Sequence, residues 1–228
     1  MSLAATLARL SVESGATSFI HLSALAADPH GLSTWARTKA VGEAAVRAVC
    51  PGATIVRPAD VVGPEDRFLN KFAQMQAIFP RMPLPNGGAA RVQPLFVKDL
   101  AQALFRIAMS ENPDVMLAQT YDLAGPEEYT VREVVEYVFE AVRSSSPAVL
   151  AIKPWQAALL GKAIDLLPNP LIVADHFLRL QVRDSSGGGG GGGGGARAPT
   201  HPLAPSHARC PPHPPPPRNT PTAVGRCA

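Results

Sequence analysis

The chain has 228 residues, 46% of them hydrophobic and 17% charged, with a formal net charge of +3. Residues 184–228 hold Arg197, Arg209, Arg218 and Arg226 against Asp184 alone, so the excess belongs to the C-terminal end and residues 1–183 balance to zero. A basic surplus with no folded basic face excludes nucleic-acid binding as the default function.

Leu3, Leu7, Ala8 and Leu10 recur at helical spacing and predict a helix that Gly15 stops. The segment has the Ala, Ser and Arg of a transit peptide, but Glu13 and the strand-like run after it make it an internal helix. "SFIHLSA" predicts a short buried strand, and "LAADPHG" a loop. Ser33 or Thr34 caps the next helix, which runs to about Val49 before Pro51-Gly52. "ATIVRP" is a second buried strand, halted by Pro58, which has no N–H to give a ladder. A helix follows from about Asp66 to Phe79, then a Pro/Gly loop, an extended "RVQPLF" and the amphipathic "VKDLAQALFRIAM". "QTYDLAG" predicts a further strand, and Thr130 with Glu133 forms a capping box at the helix after it.

Alternating helices and strands of these lengths predict an α/β fold, the C-terminal part of a Rossmann-like doubly wound parallel sheet. The glycine-rich fingerprint that cradles a pyrophosphate is absent, so the phosphate-binding first half is expected upstream of Met1. Three regions result: a partial Rossmann-like dinucleotide-binding domain at 1–145, an amphipathic helical extension at 146–184, and a tail at 185–228. In the extension, Trp155, Ala158, Leu159, Ala163, Ile164 and Leu167 form one apolar stripe, suited to covering a core, a partner or a membrane surface over 155–183. The tail, with nine consecutive glycines (Gly187 to Gly195) and a proline-rich stretch, is expected to be disordered. Cys50, Cys210 and Cys227 have neither metal spacing nor a disulfide framework, and no metal ligands or Ser-His-Asp set emerge.

The strings "FIHLSA", "STWARTKAVGEAAVR", "ATIVRPADVVGPEDRFLNKFA", "VQPLFVKDLAQAL" and "YDLAGPEEYTVREVVEYV" follow one another in a characteristic order. In this the chain resembles the atypical extended short-chain dehydrogenase/reductases, and within them the family of 39-kDa accessory subunits of respiratory complex I. The most specific string runs from Gly63 to Ala73, with Gln93-Pro94, Val97 and Asp99 a second match. The resemblance implies a Rossmann-like domain holding NADPH without turning it over. It implies complex I subunits as partners, on the matrix side of the mitochondrial inner membrane near the quinone-binding junction, and a role in assembly and stability. The alternative is an active NAD(P)-dependent epimerase or reductase of the same extended class.

Candidate cofactor-binding residues follow from the resemblance. Lys39 stands where the lysine of the Tyr-x-x-x-Lys pair contacts the nicotinamide ribose, although it also reads as a solvated lysine on an amphipathic helix. Trp35 stands at the tyrosine position; an indole N–H only donates, so the usual proton transfer is lost. Its ring is equally suited to stacking on nicotinamide or to plain packing. Ser23 ends the first strand, near the cofactor or satisfying backbone groups there. Pro58, Ala59 and Val61, with Asp60 between them, follow the second strand at its carboxyl edge. His21 reads as a core histidine, and Asp66 and Asp99 as helix-start residues.

Overall fold

A computed structural model of the chain describes residues 2–79, 81–110, 118–143, 149–165 and 174–181. The expected tail lies outside the described residues, as does Leu167 of the apolar stripe. Helix α1 (Leu3–Glu13) is capped by Ser2 and ends at Ser14, with Gly15 at a left-handed φ of 73°. Strand β1 (Ile20–Leu22), helix α2 (Thr34–Val49) and strand β2 (Thr54–Pro58) then form a β-α-β unit. β1 and β2 pair in parallel, Ile20 opposite Thr54, and strand β7 (Thr120–Leu123) pairs in parallel on the other side of β2. The order β1-β2-β7 makes β2 central, and Thr54, Ile55, Val56 and Pro58 are buried. A strand covered on both faces reads as an apolar run, which is why "ATIVRP" was legible. Its exception, Arg57, reaches back to Glu43 of α2 through two hydrogen bonds of 2.9 and 2.5 Å.

Short elements complete the body. Strand β3 (Val61–Val62) pairs in parallel with β6 (Leu95–Phe96), and β4 (Met82–Pro85) with β9 (Val149–Ile152). β5 (Arg91–Val92) and β8 (Tyr129–Thr130) pair antiparallel. The helices are α3 (Leu69–Ile78), α4 (Val97–Ala108), α5 (Val131–Arg143), α6 (Pro154–Asp165) and α7 (Ala174–Arg179). This is the expected Rossmann-like α/β class. The largest core cluster joins Phe68, Phe72 and Met75 near α3 with Val131, Val135 and Phe139 of α5 and Phe177 of α7. Each fully buried side chain of this size contributes about 1.5–3 kcal/mol. Among the described residues no helix is long and apolar enough to cross a membrane.

The structure settles two helix faces and moves one helix boundary. α1 does not face inward with its leucines: Leu3, Leu7 and Leu10 are 75%, 50% and 50% exposed, whereas Ala5 and Ala8 are buried. Small side chains let α1 close onto α2, and Ala8 packs with Val46, Ala53 and Ile55. In α6, Trp155 and Leu159 of the predicted stripe point outward, and Ala157 and Leu160 meet the core instead. Helix α3 starts at Leu69 rather than near Asp66, whose carboxylate stands ahead of it and accepts from the N–H groups of Phe68 and Leu69 at 2.8 and 2.5 Å. The reading of Asp66 as a cap thus holds. The capping box holds too: Glu133 N–H donates to Thr130 Oγ1 at 3.2 Å, and Thr130 N–H to Glu133 Oε2 at 2.7 Å.

Gly125 is where the loop after β7 crosses the Gln93-Pro94 segment; its N–H donates to the Gln93 carbonyl at 3.1 Å. A Cβ there would lie 2.0 Å from the Pro94 carbonyl oxygen, a backbone atom that cannot swing aside. Gly125→Ala is expected to destabilise the fold by about 1–3 kcal/mol, the range for overpacking. Urea unfolding checks this, and an unchanged midpoint would show that the two loops part freely.

Candidate functional site

A cleft of about 910 Å³ opens at the carboxyl ends of β1 and β2, where open α/β sheets bind ligands. Ser23 enters from just beyond β1, Trp35 from the first turn of α2, and Pro58 to Gly63 from the exit of β2. Phe68 and Lys71 form the far wall with His176, Arg179 and Leu180. Of the residues predicted to hold a cofactor, Ser23, Pro58, Ala59 and Val61 line this cleft together. Lys39 stands one helical turn along from Trp35, outside the lining, with Nζ 5.9 Å from the indole centroid. Burial, then the nearby Arg179, pulls its ammonium below the ordinary lysine range, against the pull of Glu43.

Ser23 continues the β1–β2 ladder, its N–H donating to the Val56 carbonyl at 2.7 Å. The side chain is buried, yet Oγ has no hydrogen-bond partner among the described residues. It does not satisfy backbone groups at the strand end. A buried hydroxyl facing a cleft without a partner costs about 1–3 kcal/mol, which a ligand's polar atom would relieve. Ala59 offers wall rather than chemistry: its N–H is held by the Leu123 carbonyl at 2.8 Å. His21 is only partly buried, packed toward Gly42 of α2, with Nε2 lacking a partner among the described residues.

The groups that sequence reasoning passed over come from α7. Asp175 accepts from the backbone N–H groups of Thr34 and Trp35 at 2.5 and 3.1 Å, while Ser33 Oγ takes that of Ala36 at 3.0 Å. Arg179 Nη2 donates to Asp60 Oδ1 at 2.8 Å, and its Cζ lies 3.8 Å from the Trp35 ring centroid. Burial raises the Asp60 carboxyl above the usual aspartate range, against the opposing pull of Arg179. Between the two catches sits His176, buried beside the Phe72 ring at a centroid distance of 6.3 Å, with Nε2 unpartnered among the described residues. Asp60 and Arg179 are 119 positions apart. The signal in the sequence was faint, a six-residue ADHFLR with charges at both ends of one turn-and-a-half.

This layout matches a family. Residues 24–160 fit the family model described as RmlD substrate binding domain. The chain belongs to that family. It is 35% identical over 183 residues to the mouse protein named NADH dehydrogenase (ubiquinone) 1 alpha subcomplex subunit 9, mitochondrial, an alignment covering 78% of this chain and 46% of the mouse protein. The chain thus spans about half the length of the curated relatives it matches. Among solved structures, a nucleoside-diphosphate-sugar epimerase of Staphylococcus aureus is similar at a TM-score of 0.58 and 16% identity, over 79% of this chain and 60% of that one. A Citrobacter triphenylmethane reductase complexed with NADP(H) reaches 0.57 at 17% identity, over 81% and 62%. At such identities these two establish the fold alone, a Rossmann-like α/β arrangement.

His176 is a test of how α7 is held. Burial, Lys71 and Arg179 lower its pKa from 6.5 to about 3. A group whose folded pKa is depressed stays neutral in the fold while the unfolded chain takes up a proton below 6.5. Stability is therefore full above that pH and declines as pH falls toward 3, by up to about 1.4 kcal/mol per pH unit. Unfolding curves from pH 7 to pH 4 are expected to separate wild type from His176→Leu, with the variant lacking this part of the slope. Parallel curves would mean His176 is hydrated and titrates normally.

Proposed function

We propose that this chain is part of a non-catalytic accessory subunit of NADH:ubiquinone oxidoreductase, in which a Rossmann-like fold holds NADPH and supports assembly and stability of the complex. The name of the mouse relative supports the assignment to that enzyme and to mitochondria. The observation that carries the non-catalytic reading is Trp35. Active members of the extended class place there a tyrosine able to give and take a proton; an indole N–H gives none at useful pH. The Arg179 guanidinium, 3.8 Å from the ring centroid, stacks over its face.

The residues present suit the nicotinamide half of a dinucleotide. The orphaned Ser23 hydroxyl offers a donor and acceptor, Pro58, Ala59 and Val61 form an apolar wall, and the family resemblance gives Lys39, one turn along α2, the ribose contact. A bound nicotinamide supplies hydride chemistry; here the surrounding side chains orient the ring and shield it from water. Residues 1–145 act as the nucleotide-holding part and 146–184 as its helical cover. The outward Trp155 and Leu159, 63% and 62% exposed, give that cover an apolar face for complex I subunits or a membrane surface on the matrix side of the inner membrane.

Native purification tests this. The protein is expected to copurify with NADH:ubiquinone oxidoreductase and to release NADPH on denaturation, with no oxidation of that nucleotide across a panel of carbonyl substrates. Turnover that Lys39→Ala abolishes would establish the active reductase or epimerase instead. Recovery solely as a free monomer would remove the accessory-subunit reading.

A further inference from the structure

We propose that the Trp35 indole face and the Asp60 carboxylate form a site for a planar organic cation, in which Arg179 is the built-in occupant. An aromatic face with a carboxylate at its edge is the combination that binds flat cations: the ring quadrupole attracts the positive plane, and the carboxylate takes its N–H or C–H edge. Arg179 meets both requirements at once, with Cζ 3.8 Å from the ring centroid and Nη2 2.8 Å from Asp60 Oδ1. Lys39, a point charge at 5.9 Å, meets only the first and less closely.

The backbones of both walls are held by contacts that do not involve the Arg179 guanidinium. Ser33 and Asp175 hold the first turn of α2 that carries Trp35, and the Asp60 carbonyl accepts from Leu95 N–H at 2.9 Å. The occupant is held by its side-chain contacts alone. Arg179 ends a six-residue helix, well short of the length that is stable alone, so α7 stays only by its contacts. Phe177, fully buried, and Asp175 anchor it independently of the guanidinium. A competing flat cation therefore displaces the Arg179 side chain while α7 remains docked.

The class of ligand that fits is an N-substituted pyridinium: flat, aromatic and singly positive. The choice of nicotinamide within that class rests on the cofactor reading above; the cation site does not. One consequence is discrimination by redox state. An oxidised nicotinamide ring carries the charge that Asp60 recognises and evicts Arg179, whereas the uncharged dihydronicotinamide leaves Arg179 on Trp35.

Small probes separate this site from the rest of a dinucleotide. The chain has two tryptophans, so in a Trp155→Phe background the fluorescence reports Trp35 alone. 1-Methylnicotinamide is expected to quench it saturably, and neutral nicotinamide only by collision. Arg179→Met, which keeps the apolar stem, is expected to tighten the cation by about tenfold, the loss of a tethered competitor, and Asp60→Asn to weaken it by about tenfold. Methylguanidinium competing on the otherwise unmodified protein gives the same test should a variant fail to fold. Equal quenching by the charged and neutral rings, or an unchanged affinity in a folded Arg179→Met protein, would overturn the proposal. Absence of copurified NADPH would count against the cofactor reading and leave these outcomes as they stand.

Discussion

The first backbone amides of any helix have no carbonyl of their own to reach, and in α2 those amides decide how the cleft is built. Ser33 takes one of them locally, at Ala36. The two before it, on Thr34 and Trp35, go to Asp175, more than a hundred residues along the chain. A carboxylate at this end also meets the positive pole of the helix dipole, so the contact is favourable twice over. Because Trp35 is the second residue of α2, the same contact fixes where its ring stands. Everything else at the cleft is arranged around that ring: Arg179 above it, Asp60 beyond, Lys39 a turn away.

Charge in the cleft is balanced by pairing rather than by exclusion. Asp60 and Arg179 neutralise each other with side chains 19% and 29% exposed, wet enough to avoid the full cost of burial and dry enough for the attraction to matter. Arg57 and Glu43 make a similar pair behind the sheet, where it joins α2 to the central strand and touches no cleft. His176 has no such partner among the described residues and stays neutral because it is buried, and because Lys71 and Arg179 already supply positive charge. Two ion pairs of like composition thus have different uses, one holding layers together and one finishing a binding surface.

What could be read in the sequence was whatever is decided within a few residues. The Ser33 cap, the Thr130–Glu133 box, the stop at Gly15 and the apolar run of β2 all depend on near neighbours, and all stand in the structure. Ser23, Pro58, Ala59 and Val61 were gathered by the family resemblance together with their places after strands, and they share one cleft. Apolar spacing announced α1 and α6 as helices but did not say which face turns inward. Close helix approach favours alanine, so Ala8 and Ala157 went in and Leu3 and Trp155 stayed out. Asp175, His176 and Arg179 were invisible for a different reason. Their partners are set by tertiary docking of α7, which the short ADHFLR segment does not specify.

The span between Asp60 and Arg179 also carries a temporal meaning. Closing so long a loop is entropically costly and is repaid only when both ends are already shaped. The β1-α2-β2 unit, by contrast, closes over short distances and is ready early. Even so, Trp35 takes its place only when α7 docks, because Asp175 of that helix holds the turn carrying the ring and Arg179 arrives on the same element.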